Sequence, residues 1–402
     1  MKKIGILTFH RSFNYGAFMQ CFSLCERLKK DFPDACFEVV DYTSPKILAT
    51  YEREVSQAKD KKAKQLKERN QAFLSCQEKL PLSDLHEISD QYETTCAYMN
   101  EHYDAVIVGS DAVWNWIVRG FPNLYFLKGY RGKKFSYAAS VHGMDYTIMS
   151  KEQKNYLKEA FEDFEYIGVR DTATEKMVQF VAPHLAPIHN CDPTMFLDLD
   201  QVPCDKDALK QKMICAGVDF SKPLIGVMAG NTIGQEIKRR FKNKVQLIGL
   251  YQHNRNVDVF LHDLSPFEWA HVFSFFNATL THFFHGTMLS LVNGTPVIAI
   301  EPVTDFSVKH TTKIKDLLTR LGLEEWREEN DCRNRSFADK VLYRLGLKEN
   351  RLLWDRVANK IDSFLNDDWS KHIHEKCSAE AQTYLSFYKS LNNFLKGQIK
   401  ND

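Results

Sequence analysis

Short apolar runs with little alternation recur along this chain, and most end in a polar corner followed by a stretch of helical period. In the first half they are Lys3 to Phe9, Phe37 to Asp41, Ala105 to Val108, Phe135 to Ala139 and Tyr166 to Val169. In the second they are Leu224 to Met228, Val245 to Leu250, Val257 to Leu261, Ala278 to Thr281 and Pro296 to Ile300. A strand that is apolar on both faces must be covered on both, as in an open parallel sheet layered between helices. The repetition therefore predicts an α/β fold of two Rossmann-like sheets facing each other across a cleft, with ligands collecting at the carboxyl ends of the strands. The tips predicted to meet there are Asn14, Ser110, His142, Arg170, His282 and His285.

A chain of 402 residues is long enough for two or three domains. Pro203 to Cys215, polar with a helical period, reads as the passage between two of them. The expected divisions are 1–202, 203–336 and a set of C-terminal helices, 337–402, packing across both domains. Within the first, residues 52–73 form a charged helical insertion crowded by Lys59, Lys61, Lys62, Lys64, Lys67 and Arg69. Such a segment is either a solvated helix or a flap that meets an anionic acceptor or a membrane surface.

Lys+Arg 53 against Asp+Glu 52 leaves no overall pull toward nucleic acid, so an anionic ligand must be held by a local site. The apolar start, Ile4 to Phe9, is too short for a signal-peptide core, and no apolar run approaches the ~20 residues that span a bilayer. A cytoplasmic protein is expected. The 10 cysteines are scattered, with no C-x-x-C pair and no zinc spacing, so neither a metal nor a cofactor is expected. Cys21 and Cys25 share one helix face and read as buried thiols.

The candidate chemistry sits at the corners. In Thr281-His282-Phe283-Phe284-His285-Gly286-Thr287, two histidines follow a strand, and a helix is expected to begin at Gly286 and Thr287, presenting free N–H groups to an anion. Each histidine is either a turn cap or an acid/base. Asn14-Tyr15-Gly16-Ala17 has the layout of a phosphate-binding turn but lacks both G-x-G-x-x-G and the P-loop lysine. Gly109-Ser110-Asp111 ends a strand ahead of Trp114 and Trp116, which are sugar platforms or core packing. Ser140-Val141-His142 adds a hydroxyl and an imidazole. Arg170 either forks onto a carboxylate or phosphate or pairs with Asp171 or Asp163, and Asp171 is placed to cap the next helix. Ser265-Pro266-Phe267-Glu268 is a capping box.

Taken together, Asn14-Tyr15-Gly16-Ala17, Gly109-Ser110-Asp111, Val169-Arg170-Asp171, Asp192-Pro193, and His285-Gly286 with Gly294-Thr295-Pro296-Val297-Ile298 resemble, in the same order, the motifs of the polysaccharide pyruvyl transferase family. The resemblance runs from about residue 4 to 322. It implies a GT-B-type, glycosyltransferase-like fold with an acceptor-side N-terminal and a donor-side C-terminal domain. It also implies transfer of the enolpyruvyl group of phosphoenolpyruvate, without a metal, onto a hexose of a polysaccharide or lipid-linked oligosaccharide. The product it implies is a pyruvate ketal for exopolysaccharide biosynthesis, made in the cytoplasm or at the inner face of the membrane. Carried over by position, His285 is the acid/base, with His142 or Asp111 as its counterpart. Arg170, His282, Gly286, Lys309, Asn14 and Gly16 are assigned to the donor's anionic groups; Ser110, Trp114, Tyr15 and Glu301 are assigned to the acceptor. Phe283 departs from the family, which often has arginine there, so that His282, Lys309, His310 or Arg170 must supply the missing charge. Two alternatives share the architecture. One is a nucleotide-sugar glycosyltransferase using Arg239, Arg240, the loop Gly230-Asn231-Thr232 and Glu301. The other is an inactive carbohydrate-binding homologue.

Overall fold

The computed structural model describes residues 1–89, 91–251, 254–331 and 351–397, apart from the side chains of 60–62, 118–119, 231–232 and 351. The chain divides into two compact units. The first comprises Met1–Leu197, His310–Asp316 and Ala379–Asp402; the second comprises Asp198–Lys309 and Leu317–Ser378.

The first unit is built on strands β1 (Lys3–Leu7), β2 (Cys36–Val39), β5 (Ala105–Val108), β6 (Lys133–Ala139), β7 (Phe164–Val169) and β8 (Ile188–His189). Between β2 and β5 the chain adds a separate pair, β3 (Tyr42–Thr43) and β4 (Glu87–Ile88). The main sheet has the order β2-β1-β5-β6-β7-β8, with every pairing parallel. From β1 the connections leave in opposite directions, so the crevice expected at a reversal of strand order opens between β1 and β5. The strands run as apolar stretches because both faces are covered, and β5 is buried throughout.

The second unit repeats the logic with β9 (Leu224–Met228), β10 (Gln246–Leu250), β11 (Val259–Leu261), β12 (Ala278–Thr281), β13 (Val297–Pro302) and β14 (Arg327–Asn330). Its order, β11-β10-β9-β12-β13-β14, is again wholly parallel and reverses between β9 and β12. This is the doubly wound arrangement of a dinucleotide-binding sheet.

Helix starts follow local chemistry. Asp171 accepts from the Thr174 N–H, and Ser265 with Glu268 forms the expected reciprocal capping box. The charged insertion departs from its expected form. It is two helices, Pro45–Gln57 and Asp60–Gln77, separated by extended backbone at Ala58 and Lys59. The first helix buries none of its residues, while Phe73 and Cys76 anchor the second. The stretch expected as a loop at Asn231 and Thr232 already lies in the helix Asn231–Phe241.

At the C-terminus, the region expected to open the last helices at 337 lies outside the described residues up to 350. Beyond it, Arg351–Asn366 packs through Leu353, Trp354, Val357 and Ile361, and Tyr384–Leu395 sets Phe387 against Tyr137 at 4.8 Å. Among the described residues, no helix is long and apolar enough to cross a membrane.

Candidate functional site

In the first unit, the strand tips assemble a cluster of charge at the carboxyl edge of the sheet. The chain leaves β5 through Gly109, whose φ of +110° only glycine adopts readily; a Cβ there would also collide with the Tyr137 carbonyl. Asp111 follows with φ +79°, an uncommon conformation for a residue with a side chain, and its carbonyl accepts from the Ser140 N–H at 2.9 Å. The turn is held from below by Gln20, a fully buried residue of the helix Tyr15–Asp31. Gln20 Oε1 accepts from the Ser110 N–H at 3.1 Å and from its hydroxyl at 2.7 Å, while Gln20 Nε2 donates to Thr8 Oγ1 at 3.0 Å.

Arg170 stands at the tip of β7, 1% exposed. Its Nη1 donates to Asp192 Oδ2 at 2.8 Å, and its Nη2 lies 3.4 Å from Asp111 Oδ1. The pairing foreseen with Asp163 or Asp171 does not form. Lys134 takes Asp163 at 2.9 Å, and Asp171 is occupied by the hydroxyls of Ser140 and Thr174, each at 2.6 Å. The remaining oxygen of Asp192 accepts from the Thr194 N–H at 3.0 Å and its hydroxyl at 2.7 Å.

A second cation enters from far along the sequence. Lys313 opens the helix Lys313–Arg320, and its segment is fastened to the first unit by Asp316, which accepts from the Thr172 hydroxyl at 2.6 Å. Burial, and then the charge of Arg170, lower the Lys313 pKa to about 8 against the pull of Asp111, Asp171 and Asp192. The Lys313 ammonium, ahead of burial, in turn holds His142 well below the ordinary histidine value. His142 is thus a neutral imidazole near pH 7, with no proton to give as an acid. The cluster brings together Asp111, Arg170 and His142 from the predicted set. Lys313, Asp192 as the arginine's partner and Gln20 were missed; only the Asp192-Pro193 step pointed at any of them.

In the second unit, the β12 corner differs from expectation in one respect. The helix runs Phe284–Val292 with Phe283 as its cap, so His285 lies inside the first turn and does not precede it. The Thr281 hydroxyl accepts from the Phe283 N–H at 2.9 Å and draws the chain into the turn early. Gly286 is buried, and a Cβ on it would meet Met228 Cε at 2.5 Å and Thr281 Oγ1 at 2.7 Å, so glycine is what lets the helix lie close to the sheet. His285 is half-buried, with its ring 5.3 Å from that of Phe284. Burial lowers the pKa of His282, which disfavours its charged form as a substitute for the arginine absent at Phe283. Lys309 ends the short helix Asp305–Lys309 and is exposed, whereas His310 lies 3.3 Å from Asp145.

Several residues expected to touch sugar or anion are taken up by the fold. Trp114 is 0% exposed; it packs on Phe161 at 4.8 Å and donates its indole N–H to the Tyr125 carbonyl at 3.1 Å, leaving no face for a sugar. The Ser110 hydroxyl is buried against Gln20, and the Tyr15 ring is buried against Phe73 at 4.6 Å. Asn14 is exposed but caps its helix by accepting from the Ala17 N–H at 3.1 Å, and Gly16 is buried. The cap takes up the Ala17 N–H, one of the groups expected to face an anion. Glu301 accepts from Arg327 Nε at 2.6 Å. Arg239 and Arg240 both pair with Glu236, and Arg240, the more buried of the two, also reaches Asp355 at 3.0 Å.

The sequence pattern of the family described as polysaccharide pyruvyl transferase matches residues 14–302 of the chain. No curated protein matches it. Among solved structures, the UDP-GlcNAc 2-epimerase of Neisseria meningitidis bound to UDP-GlcNAc is similar at TM-score 0.51 and 11% identity, over 96% of this chain and 100% of that one. The UDP-GlcNAc 2-epimerase of Methanocaldococcus jannaschii follows at 0.48 and 8%, over 90% and 100%. The ADP-heptose lps heptosyltransferase II of E. coli stands at 0.39 and 12%, over 91% and 99%. At such identity the Neisseria likeness speaks for the fold alone.

Proposed function

The chain belongs to the polysaccharide pyruvyl transferase family, and we propose that it transfers the enolpyruvyl group of phosphoenolpyruvate to a sugar, forming a cyclic pyruvate ketal and releasing phosphate. The acceptor in this reading is a hexose of a surface polysaccharide precursor. The enol's methylene carbon gains a proton, which leaves an oxocarbenium-like centre at the neighbouring carbon. One sugar hydroxyl adds there, phosphate departs, and a second hydroxyl closes the ring. Of the two hydroxyl protons, one balances the proton taken up by the methylene and the other leaves with the phosphate.

In the donor-side role, His285 moves the proton to the methylene carbon, as a histidine suits a transfer near neutral pH. In the acceptor-side role, Asp111 takes the hydroxyl proton. His142 is the weaker choice for that step, because Lys313 depresses its basicity. The observation that carries the assignment to the first unit is the chain Asp111–Arg170–Asp192 across three strand tips, where a buried guanidinium orients a half-buried carboxylate. Two cations among three carboxylates favour hydroxyl groups over the multiply charged donor. A thermal-shift comparison tests the reading, since a bound ligand stabilises by roughly RT ln(1 + [L]/Kd). Phosphoenolpyruvate is expected to raise the unfolding temperature and nucleoside diphosphates to leave it unchanged; the reverse result would favour a nucleotide-sugar transferase.

A further inference from the structure

A second group of charges lies at the carboxyl ends of β1 and β2, among residues that the proposed reaction does not use. Asp41, immediately beyond β2, is buried. Its Oδ1 accepts from His10 Nε2 at 2.8 Å and from Arg11 Nε at 2.7 Å; its Oδ2 takes Arg11 Nη2 and His86 Nδ1, the latter at 2.9 Å. His10 is buried beneath, its other ring nitrogen 3.3 Å from the Thr8 carbonyl, and its own carbonyl accepts from Gln77 at 3.0 Å. The Asp41 backbone N–H is held by Ser83 Oγ at 3.0 Å. Burial alone would raise the carboxyl pKa, but hydrogen bonds from His10, Arg11 and His86 outweigh it and hold Asp41 well below the usual carboxylate range.

The arrangement orients Arg11 as well as pairing its charge. A guanidinium that spends Nε and Nη2 on one carboxylate is locked in plane, and its Nη1 end then points away from that carboxylate. Asp41 cannot swing to follow, because its remaining lone pairs are taken by His10 from the buried side and by His86 at the rim. Arg11 side-chain exposure is 21% and that of His86 is 56%, and His86 Nδ1 lies 3.1 Å from Arg11 Nη2. The buried members of the group are thus anchored in the fold, while Arg11 and His86 reach the surface together.

We propose that Arg11 and His86 form an oxyanion-binding subsite, oriented from behind by Asp41 and His10, for a phosphate or carboxylate group. The proposal rests on the reading of the first unit as the acceptor side. The anion is one that the acceptor carries besides the hydroxyls that react: the phosphate of a lipid-linked sugar or the carboxylate of an acidic sugar.

The test is direct binding, without turnover, so that its outcome does not depend on the proposed transfer. Titration calorimetry on the full chain would use inorganic pyrophosphate in one arm and glucuronate in the other, with Arg11→Met and His86→Ala beside the unaltered protein. At least one anion is expected to bind the unaltered protein and to bind Arg11→Met at least tenfold more weakly. Loss confined to the pyrophosphate arm assigns a phosphate, and loss confined to glucuronate assigns an acidic sugar. His86→Ala keeps three of the four donors to Asp41 and should fold even if Arg11→Met does not; it is expected to weaken the same anion. Absence of binding in both arms, or binding that neither substitution weakens, would overturn the proposal.

Discussion

Arg170 Nη1 donates to Asp192 Oδ2 across 2.8 Å, with both side chains 1% exposed. Removing one member of a buried, hydrogen-bonded ion pair leaves the other charged in a place that cannot solvate it, at a cost of about 3–5 kcal/mol. Arg170→Met is therefore expected to lower the chemical-denaturation stability of the first unit by that order. Asp192→Asn, which keeps the shape and part of the hydrogen bonding, should cost less. Equal stability of Arg170→Met and the unaltered protein would show that the pair is not formed in solution.

Lys313 gives the stability a pH dependence whose sign is fixed by its lowered pKa. In the unfolded chain its ammonium titrates near 10.5, and in the folded protein near 8. Below about 8, both states hold the proton and the folded state bears the full cost of the buried charge. Between about 8 and 10.5 the unfolded state binds more protons, so this group makes the folded state gain stability as pH rises. The stability of Lys313→Met relative to the unaltered protein should thus be greatest below pH 8 and shrink toward pH 10.5, measured by urea denaturation at each pH. A difference that stays constant over that window would contradict the placement of Lys313.

The position of Trp114 separates a core role from sugar stacking. With its ring enclosed by Phe161 and Phe164, Trp114→Ala should destabilise by about 3–5 kcal/mol through the cavity it leaves. Trp114→Phe should fold and keep its KM for the sugar acceptor. A KM increase of tenfold or more in Trp114→Phe, without loss of stability, would return the residue to the acceptor site.

At Gly286 the close approach of helix and strand can be probed with one methyl group. The Met228 tip can move aside, but Thr281 is β-branched and its hydroxyl is engaged with the Phe283 N–H. Gly286→Ala should therefore push the helix Phe284–Val292 outward, costing about 1–3 kcal/mol and displacing His285 at its first turn. The expected result is a fall in kcat in protein that remains folded by circular dichroism. Unchanged kcat would mean that the helix position is not critical to the chemistry.

The strands were the legible part of the sequence. Ala105–Val108, Leu224–Met228 and Ala278–Thr281 match their apolar runs residue for residue, because a strand covered on both faces declares itself by composition alone. Asp171 and Ser265 were legible because a cap is a local bond, satisfied within three residues. Long-range pairing was not. Nothing local to Arg170 distinguishes Asp192 from Asp163 as its partner, and Lys313 reaches the strand tips only because its segment returns to the first unit. Trp114 misled for a related reason. An aromatic after a strand is equally suited to the surface and the core, and it is the distant Phe161 and Phe164, packed on its ring, that bury it.

The most direct measurement incubates the purified chain with phosphoenolpyruvate and a panel of lipid-linked and aryl hexosides, following phosphate release and product mass together. The unaltered protein should release phosphate in step with a sugar product heavier by one pyruvate ketal. His285→Ala should form none while keeping its unfolding temperature. Near-normal product formation by folded His285→Ala would contradict the assignment of His285, and phosphate release without any gain in sugar mass would contradict the transfer itself.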